Sequence, residues 1–228
     1  MLGIVSAVSV DSHNHVFVFD RRDRVWPRSD TLDTTPIEGA TVRVFDGRTG
    51  VRLAEWGAKA FALPNGITID ASDNAWLTDV ALHQVYKYSH DGALLLTVGE
   101  RGVPGEDSLH FNRPSGVVAA PDGSFYVSDG YGNNRVMAFA PDGRFLFQWG
   151  VKGQGPGQFD LRSRCRWETS PKVRPYQTTA IPPDETIISP VLSGLHWIPG
   201  SHGDSAAKRR AGYYSGSHAG ESYALLHI

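Results

Sequence analysis

Few side chains in this sequence can do chemistry. His13 and His15 form an HxH pair in DSHNHV, a spacing that can hold a metal ion, but its setting reads as a turn, where the pair is structural. Arg21 carries a guanidinium able to grip a carboxylate with two parallel hydrogen bonds, and its alternative is a surface ion pair with Asp20 or Asp23. Tyr131 brings a phenol that can position a hydroxyl or pass a proton, and its alternative is an aromatic packed on the loop that carries it. Asp79 and Asp129 end apolar runs, where a carboxylate accepts backbone or arginine hydrogen bonds that fix a loop. The single Cys165 excludes an internal disulfide.

The elements that position these groups come from a repeat. LPNGITIDASDNAWLTDVALHQVYKYSHDGALLLTVGE and RPSGVVAAPDGSFYVSDGYGNNRVMAFAPDGRFLFQWG align at a spacing of about 50 residues, so that Gly66 meets Gly116 and Asp79 meets Asp129. Each copy holds four short alternating runs bounded by turn residues. Pro121-Asp122-Gly123 and Pro141-Asp142-Gly143 are turns by mechanism, because proline presets φ and glycine supplies a positive φ. Ala7–Asp11 aligns with Gly66–Asp70, so a third copy opens the chain. It is stretched by an Arg-, Asp-, Thr- and Pro-rich excursion over Arg21–Ala40, expected to be solvated on one rim.

Four strands per repeat predict an all-β fold, a β-propeller of four-stranded antiparallel blades. Three blades are expected, over residues 5–57, 63–102 and 113–153 of a partial propeller spanning 1–160. That is an incomplete ring, since closure takes about four to eight blades. Residues 161–228 lose the pattern and read as an irregular tail, disordered or of the kind a reading-frame change leaves; only Thr186–Leu192 could form a strand there. The first strand of a blade lines the channel and the second runs back beside it. Arg21 and Tyr131, after second strands, and Asn65, before a first strand, should therefore share one mouth of the channel, where a ligand binds by default.

Composition narrows the classes. The 228 residues are 40% hydrophobic and 20% charged, with 25 Gly, 14 Pro and a net charge of −2. This gives no electrostatic reason for nucleic acid or an anionic membrane as partner. Met1–Val10 lacks the basic start of a signal peptide and is too short to span a bilayer. Open blade edges favour self-association through strands.

From Ala7 to Leu161 the chain resembles the peptidyl-α-hydroxyglycine α-amidating lyase family, six-bladed propellers of the NHL-repeat type. VSVDSHNHVFVFDRRDRVW, LPNGITIDASDNAWLTDVALHQVYK, FNRPSGVVAAPDGSFYVSDGYGNNR and FQWGVKGQGPGQFD carry the likeness, which covers roughly the first half of that family's domain. It implies a lyase that cleaves a C-terminal hydroxyglycine peptide to a peptide amide and glyoxylate, with zinc in the channel and a calcium ion nearby. It also implies substrate binding by Arg21, an active-site role for Tyr131, and backbone calcium ligands at Val8 and Ile67. The first family zinc histidine, in Leu-Pro-His-Gly, is Asn65 here; the second falls where this chain departs, at Leu161-Arg162-Ser163; the third lies in a later blade. Zinc prefers imidazole, thiolate or carboxylate to a neutral amide oxygen, so both metal sites read as incomplete. His83, in ALHQV, reads as a hydrogen-bonding residue between strands. The alternative to an impaired lyase is a noncatalytic module that binds a peptide or protein at the rim.

Overall fold

The structure, a computed structural model, describes residues 2–27, 31–153, 158–159, 166–170, 196–198 and 223–227. It divides into two units, residues 1–165 and 166–228.

The first unit is built of three four-stranded antiparallel sheets in simple up-and-down order. Blade 1 comprises β1 (Val5–Val10), β2 (His15–Asp20), β3 (Val42–Asp46) and β4 (Arg52–Trp56). Blade 2 comprises β5 (Pro64–Ile69), β6 (Ala75–Asp79), β7 (Gln84–Tyr88) and β8 (Leu94–Val98). Blade 3 comprises β9 (Gly116–Ala119), β10 (Phe125–Asp129), β11 (Arg135–Phe139) and β12 (Phe145–Trp149). Two short strands, β13 (Val151–Lys152) and β14 (Gln158–Phe159), pair in parallel beyond it.

The repeat therefore becomes three like sheets, although β1 and β5 open two residues earlier than expected, so that Asn65 lies inside β5 rather than before it. The alternation explains why they stack. Phe17, Phe19, Val42 and Val44 of blade 1 bury against Ile67, Leu77, Tyr86 and Tyr88 of blade 2. The opposite face of blade 2 buries Trp76 and Val85 against Val117, Phe125, Val127 and Phe139. Tyr88 stacks on Trp56 at 5.1 Å and Trp76 meets Phe125 at 4.5 Å, so aromatic pairs lock each blade to the next. Gly123 and Gly143, at φ 84° and 88°, make the tight turns that the two Pro-Asp-Gly segments require.

The excursion after Arg21 is not merely solvated. Ile37 is 6% exposed, with its backbone bonded to Phe61 O and Lys59 N–H, and Leu32 packs on the cluster formed by Leu63, Val80 and Leu82. The apolar residues spaced through a charged stretch are what tie it down.

In the second unit the described residues form three strands, β15 (Arg166–Ser170), β16 (His196–Ile198) and β17 (Tyr223–His227), in the order β15-β17-β16. β15 runs antiparallel to β17 and β16 parallel to it. Thr186–Leu192 lies outside the described residues.

Candidate functional site

β2 and β10 end at the rim where β5 begins, and this brings Arg21, Asn65 and Tyr131 to one mouth. Arg21 Nε donates to Pro64 O at 2.7 Å, and its Nη2 donates to Asn65 Oδ1 at 3.2 Å. Asn65 is fully buried and spends its other end on Ser115, with Nδ2 donating to the carbonyl at 2.6 Å. Ser115 stands at the matching position one blade further on. Gly66 permits this approach, because a Cβ there would lie 3.2 Å from Ser115 O and 3.3 Å from Gly116 Cα.

Tyr131 joins the group through a residue that sequence reading passed over. The Trp26 indole lies 5.1 Å from the Tyr131 ring, edge to face, and the Arg21 guanidinium sits 5.1 Å from the Trp26 ring. Trp26 is supplied by the blade 1 excursion and reaches the rim of blade 3. The signal was a lone tryptophan in the polar run RDRVWP. Tyr131 is half-buried and rests beside Leu63, Val80 and Leu82. Arg21 thus reaches across blades rather than to Asp20, whose carboxylate takes Arg43 and the Arg22 N–H.

The loops are held by the aspartates that end second strands. Asp79 accepts the N–H groups of Ala62, Leu63, Ala81 and Leu82 at 2.6–3.1 Å. Burial pushes its carboxyl up, and those four N–H donors oppose the shift. Asp129 accepts from Asn112 N–H, Asn133 Nδ2 and Arg135 Nε at 2.7–3.0 Å, with burial again the upward cause. His83 accepts the Arg113 N–H through Nδ1 at 3.0 Å, joining blade 2 to the segment that enters blade 3. Burial, helped by the Arg113 charge, lowers it to about 4, so the ring is neutral at pH 7.

Backbone polarity organises the interior. Ile69 N–H leaves its sheet to donate to Ser9 Oγ at 3.1 Å, whereas Gly66 N–H turns back to Thr78 Oγ1. A residue's N–H and C=O leave a strand on the same side, and the side alternates along the chain. Ile67 O therefore faces away from β6, off the free inner edge of its sheet. The same alternation, counted back from Asp11 N–H bonded to His15 O, turns Val8 O away from β2. At the matching register in blade 3, Val117 O accepts from the Thr68 hydroxyl at 2.8 Å. A row of inner-edge carbonyl oxygens results.

Comparison with known proteins adds to this geometry. The NHL repeat family matches residues 111–139, which include Phe111, β9, β10 and β11. The chain is 40% identical over 176 residues to the peptidylglycine α-amidating monooxygenase of Rattus norvegicus, covering 70% of this chain and 18% of that protein. It is 37% identical over 161 residues to peptidyl-α-hydroxyglycine α-amidating lyase 1 of Drosophila melanogaster, covering 65% of this chain and 29% of that protein. The chain is a relative of the amidating lyases. It spans less than a third of the length of either protein. A Bacteroides thetaiotaomicron protein of unknown function shares the fold at a TM-score of 0.52 and 16% identity, over 72% of this chain and 42% of its own.

In this amidating-lyase relative, position 65 does not fit zinc. Its side chain is a neutral amide with both ends engaged, and the neighbour at 3.2 Å is a cation. The next family position, at Leu161–Ser163, lies outside the described residues. The carbonyls of Val8 and Ile67, turned off the inner edges of their sheets, are oxygens of the type that a hard cation takes as ligands.

Proposed function

We propose that the rim formed by Arg21, Trp26, Asn65 and Tyr131 receives the C-terminus of a peptide ending in α-hydroxyglycine, the group from which the lyase relatives take their name. The carrying observation is the Arg21 guanidinium, tethered to Pro64 O and Asn65 Oδ1 and lying beside the Trp26–Tyr131 pair. Arg21 takes the carboxylate, and a guanidinium already fixed in place loses little entropy on binding. Trp26 supplies an apolar wall beside it. Tyr131 positions the α-hydroxyl.

The lyase reaction of such a peptide breaks the Cα–N bond. The hydroxyl proton leaves as its oxygen becomes the aldehyde oxygen of glyoxylate, and the departing amide nitrogen gains a proton. Tyr131 is the described group of this rim suited to hold the hydroxyl during that transfer. Position 65 gives zinc no ligand, so this chain alone binds the peptide and turns it over negligibly. Calcium, where bound, brings charge to the interior, and the carbonyls of Val8 and Ile67 would hold it across the inner strands of blades 1 and 2.

A noncatalytic peptide-binding module is the second reading, and the buried, fully engaged Asn65 amide favours it over an active lyase. Calorimetric titration of the full chain with a peptide ending in α-hydroxyglycine, and with the same peptide amidated, tests the assignment. Binding of the hydroxyglycine form should survive chelation and fall at least about tenfold in Arg21→Ala, the loss of a charge-assisted contact. Equal affinity for the amidated peptide would sink the carboxylate role, and rapid glyoxylate release on adding zinc would sink the claim of negligible turnover.

A further inference from the structure

The rim opposite the Arg21 mouth gathers three imidazoles from two blades. β1 and β5 run from one rim to the other, a span of about 17–20 Å for six residues. At their far ends the β1–β2 turn carries His13, β2 opens with His15, and the β7–β8 turn carries His90. Ring centroids lie 5.8 Å apart for His13 and His15, 5.7 Å for His15 and His90, and 6.4 Å for His13 and His90.

All three surround the Asp11 carboxylate, which is wholly buried. Asp11 Oδ2 lies 2.8 Å from His15 Nδ1 and 3.0 Å from His90 Nε2. Asp11 Oδ1 takes the N–H groups of His13 and His15 at 2.9 and 2.7 Å, which fixes the carboxylate and the turn together. Ligand atoms of Asp11, His13 and His15 all fall within 4.8 Å of one another. Asp73, from blade 2, lies 3.3 Å from His13 Nδ1 and is itself held by the Ser12 hydroxyl and N–H at 2.6 and 2.9 Å.

We propose that Asp11, His13, His15 and His90 form a site for a divalent first-row transition ion, zinc being the natural occupant, which staples blade 1 to blade 2. Three imidazoles and one carboxylate form a neutral-nitrogen and oxygen donor set suited to such an ion and poorly suited to calcium or magnesium. A tetrahedral zinc with bonds of about 2.0–2.1 Å sets its ligand atoms about 3.3 Å apart. The separations of 2.8 and 3.0 Å about Asp11 Oδ2 are a few tenths of an ångström short of that, while the ligand atoms of Asp11, His13 and His15 lie within 4.8 Å of one another, so the ion enters by displacing shared protons and drawing the imidazoles in around itself. His13 is 65% exposed and reaches the ion by turning its ring, with Asp73, the second carboxylate, beside its Nδ1 to orient it.

Calorimetry of the full chain with zinc chloride, repeated on His13→Gln and His90→Gln, decides the matter. One equivalent should bind to the wild type, and each variant should lose at least about tenfold in affinity. Cobalt(II) should give intense visible bands of tetrahedral coordination in the wild type and weak ones in the variants. The thermal midpoint should rise with zinc in the wild type alone, because the ion binds the folded state. Both side chains are partly exposed, and metal-free midpoints confirm that the variants fold. Absence of zinc binding, or either variant keeping wild-type affinity, overturns the site.

Discussion

Arg21 Nη2 donates to Asn65 Oδ1 at 3.2 Å, joining the end of β2 in blade 1 to the start of β5 in blade 2. That bond, with the one from Asn65 Nδ2 to Ser115 O, runs a polar bridge through all three blades at one rim. Asn65 thus serves as a link between blades.

Replacing Asn65 by alanine strands the buried Ser115 carbonyl and removes an anchor of Arg21. Urea denaturation should show a loss of about 1–3 kcal/mol, the cost of an unpaired buried polar group. An unchanged midpoint would mean that water reaches Ser115 and the bridge is dispensable.

Asp79→Asn keeps the shape and reverses half of the hydrogen bonding, because an amide NH2 then faces backbone N–H donors. Four N–H groups converge on Asp79, so the expected loss is about 3 kcal/mol or more, read from chemical denaturation. Asp122→Asn, at an exposed turn, should cost far less.

The pH response of His83 has a definite sign. Its folded value is lowered to about 4, while an unfolded histidine titrates near 6.5, so the unfolded chain takes up the proton first. Its contribution is complete above about pH 6.5 and is lost as pH falls toward about 4. Denaturation midpoints between pH 7 and pH 4 should fall less steeply in His83→Asn than in the wild type; asparagine suits the site because residue 83 sits at φ 55°. Parallel profiles for the two proteins would remove His83 as a source of the acid sensitivity.

Strand-edge association is also expected. Val8, Val10, Leu94 and Leu95 are each more than half exposed. Sedimentation velocity at rising concentration should show dimers or larger species, and lysine at Leu94 should reduce them. A single monomeric boundary throughout would contradict this.

Local pattern was enough to read the blades, because alternation, Pro-Asp-Gly turns and a repeat spacing are properties of contiguous residues. It also carried the aspartate clamps and the placing of Arg21, Asn65 and Tyr131 at one rim, since strand order alone decides which ends meet. The resemblance to amidating lyases rests on short stretches of the same kind. Other relationships join residues far apart in the chain. Trp26 reaches Tyr131 only because an excursion in blade 1 folds over to blade 3, and Ile37 and Leu32 hold that excursion down. His13 and His15 read as a mere turn until blade stacking brought His90 beside them. Period-two sequence determines which face a side chain takes; the packing of sheet on sheet decides which distant side chain it meets there.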